Sequence, residues 1–316
     1  MIVVAVAIAV SVAILTVVVP LLRRVTERGH SPRLSAAAWL VLASTVLVSW
    51  AIAGVGALWL PHQGHLWTSM RIGLGSLTGS ARAADVLRHV VGIALIVPLG
   101  RFAFFIMLVL TRMRHGRSRK RSALRLFSSH IAGVGSDVVE IPSEVPMVYC
   151  MPGKPDVVVV TSAAKNTLDA EEFAAVLAHE RAHLAERHHV FVAVARAIGM
   201  VSRRVWLFPL TERLVRQLVE MRADDVAVRQ HAPGVLSGAM RKLSTLAPPA
   251  TALGVAGPSV AKRMMRIADP PTRRQRVLAG IGSCSFVGLS FVTQATLVAL
   301  PVIAMTAGNT CLFMAG

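Results

Sequence analysis

The sequence NTLDAEEFAAVLAHERAH (residues 166–183) carries both the start signals of a helix and a metal-binding spacing. Asp169 is a good N-cap, and Glu172 three residues on completes a capping box. Leu168 and Phe173 flank the cap at the spacing of a hydrophobic staple, so a helix is predicted to start at Asp169. Its apolar face continues through Val176 and Leu177. On that helix His179 and His183 stand at i and i+4, one above the other, and both imidazoles can reach one tetrahedral zinc ion. Glu180 lies a quarter-turn away, where a carboxylate can act as general base on a water activated by the metal. The bland alternative is a surface helix with two unrelated histidines, and the complete H-E-x-x-H spacing on a capped helix argues against it.

A third protein ligand has two candidates. His189 would extend the pattern, but that spacing needs glycine at position 186 for the chain to turn back, and Glu186 stands there. If the helix continues, His189 falls on a different face from His183. The second candidate is Glu220, in the segment 211–229, where Leu214, Leu218 and Met221 recur at helical spacing. Asp224 follows one turn later. Glu220 is the expected ligand, with Asp224 accepting a hydrogen bond from a ligand histidine. Before the helix, residues 156–161 read as a strand and 145–150 as its partner across the turn 151–155. Such a hairpin offers an edge to an extended peptide.

The surrounding chain is too apolar for an ordinary soluble domain. Of 316 residues, 54% are hydrophobic and the mean hydropathy is positive, which points to a membrane protein. Residues 2–22, 36–60, 90–110 and roughly 282–307 are each long enough to cross about 30 Å of hydrocarbon. The first has no basic residue before it and Arg23-Arg24 after it, as a span does and a signal peptide does not. Formal charge is +18, with seven Lys and Arg between Arg112 and Arg125, a cluster beside an apolar run that reads as a cytoplasmic loop. The short loop after the first span carries Arg23, Arg24, Arg28 and Arg33, whereas residues 61–89 hold only Arg71, Arg82 and Arg88. The positive-inside rule then places both termini outside the cytoplasm.

The expected architecture is an α-helical multi-spanning membrane protein with a mainly helical α+β zinc domain. Residues 1–110 form a membrane domain with three spans, 111–278 a cytoplasmic domain large enough to bury its own core, and 279–316 the fourth span with a short tail. The apolar run 190–201 is too short to span and reads as a core or interfacial helix. Arg101 lies inside the third span, where a charge is either functional or snorkels to the surface. The basic balance also fits nucleic acid, but no stacking aromatics or recognised module accompany it, so no direct nucleic-acid partner is expected. Cys150, Cys284 and Cys311 form no CxxC pair and support neither a disulfide framework nor a thiolate zinc site.

Residues 166–183 together with Glu220-Met221-Arg222-Ala223-Asp224 resemble the BlaR/MecR-type antirepressor membrane metallopeptidases and their HtpX-type relatives, which share HExxH plus ExxxD. The resemblance implies a gluzincin-like zinc domain in which His179, His183 and Glu220 bind Zn2+ and Glu180 is catalytic. It also implies a cytoplasmic BlaI/MecI-type transcriptional repressor as substrate, whose cleavage releases β-lactam resistance genes. The sensors of that family end in an extracellular penicillin-binding domain, whereas about nine residues follow the last apolar run here. Ser162 to Lys165 fits S-x-x-K but has no K-T-G downstream and lies just before the zinc helix. The stimulus is therefore expected to act through the spans, a partner, or the loop 61–89 with its His62, His65 and Trp67. Two other functions compete: HtpX-like quality control of membrane proteins, and a metal-binding signalling scaffold without turnover.

Overall fold

The computed structural model describes residues 2–59, 79–127, 129–131, 134–246 and 258–313; most of the loop 61–89, including His62, His65 and Trp67, and the last three residues lie outside that set. Helices α1 (Ile2–Ala13) and α2 (Val19–Thr26) flank a π-helical stretch, Ile14–Val18, and α3 (Pro32–Trp59) and α4 (Gly79–Phe127) follow. A small sheet comes next, with β1 (Ser129–His130), β2 (Val138–Ile141), β3 (Val148–Met151) and β4 (Val157–Thr161). Then come α5 (Ser162–Thr167), α6 (Ala170–Ala185), α7 (His188–Val201), α8 (Leu207–Ala227), α9 (Pro233–Leu246), α10 (Pro258–Ala268) and α11 (Arg273–Phe313).

Among the described residues, four helical stretches are long and apolar enough to cross a membrane: Ala5–Thr26, Pro32–Leu58, Val86–Gly116 and Arg273–Ala299. They correspond to the four expected runs. Their outward faces carry Phe104, Met107, Phe291 and Val292, each more than 60% exposed, a surface that suits lipid rather than water. Between them the polar side chains find partners. Trp39 Nε1 donates to Thr26 Oγ1 at 2.9 Å, Trp50 Nε1 to Ser11 Oγ at 2.8 Å, and Gln294 Nε2 to the Thr45 carbonyl at 2.8 Å. Gly54 lets α3 meet α4 closely, since a Cβ there would lie 2.6 Å from the Gly92 carbonyl; small residues serve this purpose between membrane helices.

The third apolar run does not end where its hydrophobic residues do. The basic cluster 112–125, expected in a loop, continues α4 as helix to Phe127, because Arg, Lys, Leu and Ala are good helix formers and nothing stronger than Gly116 interrupts them. α11 likewise begins at Arg273, before the fourth apolar run.

The sheet has the order β1-β2-β4-β3, with β2 parallel and β3 antiparallel to β4. The expected hairpin 145–161 is therefore present, and β3 is an edge strand. β1 and β2 were not legible in the sequence. Val138, Val158 and Val160 of the sheet bury against Leu177 of α6, which fixes α6 beside the edge strand. At the start of α6, Asp169 and Glu172 form the expected capping box, and Leu168 and Phe173 share one apolar cluster.

The run 190–201 forms the core helix α7. One apolar core joins Leu22, Trp39, Leu42 and Val46 of the long helices to Ile198 of α7 and Phe208, Leu214 and Leu218 of α8. The α7–α8 hairpin thus stands alongside the long helices rather than apart from them. Its tip reaches far along them: the Val201 carbonyl meets Arg101, fifteen residues from either end of the apolar stretch Val86–Gly116, and Phe208 meets the Trp50 ring edge-on at 6.1 Å. At the other end of α8, Met221 packs on the loop between α2 and α3.

Gly29 in that loop has φ +65°, and a Cβ there would collide with Met221 Sδ. We predict that Gly29→Ala costs about 1–3 kcal/mol through left-handed backbone strain and the clash, lowering the melting temperature in detergent. Met221→Ala in the same chain should recover only part of the loss, since it removes the clash and not the strain.

Candidate metal centre

α6 presents His179 and His183 on one face, as the spacing requires, and α8 lies across that face to bring Glu220 opposite them. Donor atoms of His179, His183 and Glu220 all lie within 4.8 Å of one another. The two Nε2 atoms are 3.2 Å apart, and each faces a Glu220 carboxylate oxygen, at 3.6 and 3.7 Å. Two imidazole nitrogens and a carboxylate oxygen held this close together are a donor set that fits Zn2+. Of the two third-ligand candidates, Glu220 joins the group. His189 does not; it lines the neighbouring cleft.

The chain turns after Glu186 without the glycine expected to be needed there. The helix does not continue past Glu186 even without glycine there, because Arg187 takes the left-handed conformation itself, φ 52°. That turn starts α7 one residue later and brings His188, rather than His189, against the site. His188 Nδ1 is 3.0 Å from His183 Nδ1, its Nε2 is 3.5 Å from Glu186, and Glu186 is gripped by Arg222 through Nε at 2.9 and 3.0 Å and Nη2 at 2.5 Å. His188 was missed by the sequence reading. Only a foreseen break at Arg187 would have singled it out.

Asp224 is 1% exposed, with Oδ1 3.1 Å from His179 Nδ1 but off the line a hydrogen bond needs. Arg263 of α10 grips both its oxygens at 2.7 Å and sets Nη1 3.0 Å from Glu220. A buried carboxylate calls for a cation, yet nothing in the sequence selects Arg263 among the basic residues near residue 270. Glu180, next to His179 in the chain, accepts a hydrogen bond from the Cys150 amide of β3 at 2.9 Å. Ser162 and Lys165, the S-x-x-K pair, have structural partners. The Ser162 hydroxyl exchanges hydrogen bonds with the Ser143 backbone, and Lys165 lies 2.7 Å from Glu140.

The electrostatics follow from this packing. Burial disfavours the His179 imidazolium, but Asp224 and Glu220 outweigh it and hold its pKa up at about 10. Burial dominates at His183 and lowers it to about 4. Burial would raise Glu220, but His179 and Arg263 outweigh it and bring it to about 2. Burial raises the Glu180 carboxyl above the ordinary range, which gives a stronger base. The positive charge that a proton supplies on His179 is charge a divalent cation would supply at the same place.

A cleft of about 450 Å³ opens beside the group, walled by α4 from Leu108 to Met113, by α7, and by Arg216 and Glu220 of α8, with Cys150 at its edge. Arg112, Arg196 and Arg216 make it basic.

Residues 120–209 match the model of peptidase family M48. The M48 segment spans β1 to β4, the HExxH helix α6 and α7, and peptidases of this family depend on zinc. Glu220, Asp224 and Arg263 lie beyond the matched segment; Glu220 and Asp224 reach its histidines through the fold, and Arg263 pairs with both carboxylates. No curated protein and no solved structure matches the chain.

One consequence of the charge arrangement is measurable. With its pKa held up at about 10, His179 must lose a proton before Nε2 binds metal at neutral pH, whereas His183, lowered to about 4, is already neutral there. Zinc added to the metal-free chain at neutral pH should release about one proton, read by calorimetry in buffers of different ionisation enthalpy. Release near zero would contradict a protonated His179.

Proposed function

We propose that the chain is a membrane-embedded zinc endopeptidase. The observation that carries this reading is the convergence of His179, His183 and Glu220 beside Glu180, with a basic cleft leading to them. Zn2+ held by those three side chains would supply Lewis acidity, polarising a peptide carbonyl and activating water. The chain's own groups do the rest. Glu180 takes the proton of the attacking water and passes it to the departing amine, and the Cys150 amide holds the carboxylate in place. Asp224 and Arg263 keep His179 and Glu220 oriented. A substrate extended along the outer edge of β3 runs past Glu180.

Within this reading the chain is a signal transducer of the BlaR/MecR kind that cleaves a cytoplasmic BlaI/MecI-type repressor and so controls β-lactam resistance genes. The resemblance of residues 166–183 and 220–224 supports that substrate. We place both termini outside the cytoplasm and the zinc site inside, in a bacterial cell membrane, with residues 1–110, 111–278 and 279–316 as its parts; the distribution of Lys and Arg supports this. A second reading, HtpX-type quality control, draws support from the M48 match and from the apolar helix α4 walling the cleft, a position within reach of membrane-attached substrates.

Glu180→Gln should keep zinc bound yet slow proteolysis by about 100- to 10,000-fold, because only the base is lost; loss of zinc in this variant would contradict the assignment. Glu220→Ala should lower zinc content sharply while His189→Ala leaves it near normal. Comparing the cellular proteome with that of a Glu180→Gln strain separates the substrates: an accumulating repressor supports the first reading, accumulating membrane proteins the second. A reporter active only outside the cytoplasm should work when fused after Gly316 and fail after Arg117, and activity after Arg117 would overturn the orientation.

A further inference from the structure

α7 joins the middle of an apolar helix to a metal-ligand side chain. At its C-terminal end Arg101 of α4 donates from Nε to the Val201 carbonyl at 2.9 Å and from Nη2 to the Met200 carbonyl at 3.5 Å. These are among the carbonyls that a helix end leaves without intrahelical partners, and they carry the negative end of its dipole. The guanidinium also lies over the Phe105 ring, 5.4 Å from its centre. Snorkelling to the surface would need neither contact, so the charge at Arg101 has a specific acceptor rather than an escape route.

At its N-terminal end α7 opens on His188, buried, with Nδ1 against His183 Nδ1. If His183 turns Nε2 to the metal, its Nδ1 carries the proton and donates to His188 Nδ1. The Nε2–H of His188 then faces Glu186, which Arg222 anchors on α8. Between the two ends Ala193, Ala195, Ala197 and Ile198 are buried in the packing with α4 and α8. A 14-residue helix so wedged is a rod of about 21 Å.

We propose that Arg101 and His188 are positioning residues at the two ends of this rod. Arg101 sets where α7 stands from within the apolar stretch, and His188 passes that placement to the ring of His183. Displacement of α4 relative to α8 therefore alters the ligand geometry, which couples the membrane helices to the metal centre. The proposal rests on His183 as a metal ligand.

The test uses the full chain in nanodiscs, stripped of metal and titrated with zinc against a chromophoric chelator. His188→Ala should weaken zinc binding by about 10- to 100-fold, the usual loss when the hydrogen-bond partner of a ligand histidine is removed. Arg101→Leu should weaken it several-fold and raise hydrogen exchange at the last turn of α7, leaving β4 unchanged. The decisive variant is the double one, which should bind no more weakly than His188→Ala alone, because Arg101 acts only through His188. Losses that multiply in the double variant, or wild-type affinity in Arg101→Leu, would overturn the coupling. Should Arg101→Leu fail to fold, Arg101→Lys carries the same comparison with the same two outcomes. A wild-type chain that takes up no zinc would overturn the metal reading as well, whereas zinc binding with multiplying losses would remove only the rod.

Discussion

The carboxylate of Asp224 has almost no contact with water, and its charge has to be met from within the protein. Arg263 meets it through two hydrogen bonds, and His179 adds a third contact. Removing one partner from such a buried pair typically costs about 3–5 kcal/mol, since the remaining charge is stranded. This requirement ties α10 to α8 and α8 to α6, and it holds the histidine face of α6 against Glu220. The same guanidinium touches Glu220, so a single arginine orients Glu220 and the carboxylate that faces His179.

Around that centre the chain distributes alternate side chains of one short segment to different tasks. In Glu220-Met221-Arg222-Ala223-Asp224, Glu220 and Asp224 are one turn apart and face the histidines. Arg222 points toward Glu186, and Met221 packs under Gly29 between the first two long helices. α8 therefore connects the metal centre, the turn at Arg187 and the loop between α2 and α3. Its other half shares an apolar core with the long helices, so the helix pair that brings His179, His183 and Glu220 together and the membrane-type helices belong to one packed structure. A cleft walled on one side by α4 is the direct result.

How much of this was legible in the sequence depended on the range of the interaction. The capping box, the staple, the pairing of His179 with His183 and the β3–β4 hairpin are set within a few residues, and local chemistry was enough to read them. Glu220 was legible because its helical register with Asp224 is local too, although its meeting with α6 is not. Arg263 was out of reach, since 39 residues separate it from Asp224 and any of several basic residues would satisfy the charge. His188 was hidden by an assumption that only glycine turns the chain after HExxH; Arg187 does so at a conformational cost that the packing of α7 sustains. The continuation of α4 through the basic cluster was missed because charge marks the side of a membrane, not the end of a helix.

The proposed function rests on two imidazoles and one carboxylate holding a zinc ion beside Glu180. X-ray absorption at the zinc edge of the purified, zinc-loaded chain tests it most directly. Nitrogen and oxygen scatterers are expected at about 2.0–2.2 Å, with the multiple-scattering signature of two histidine rings and no sulfur. A sulfur shell at about 2.3 Å, which would bring Cys150 into the site, or a third imidazole in place of the carboxylate, would contradict it.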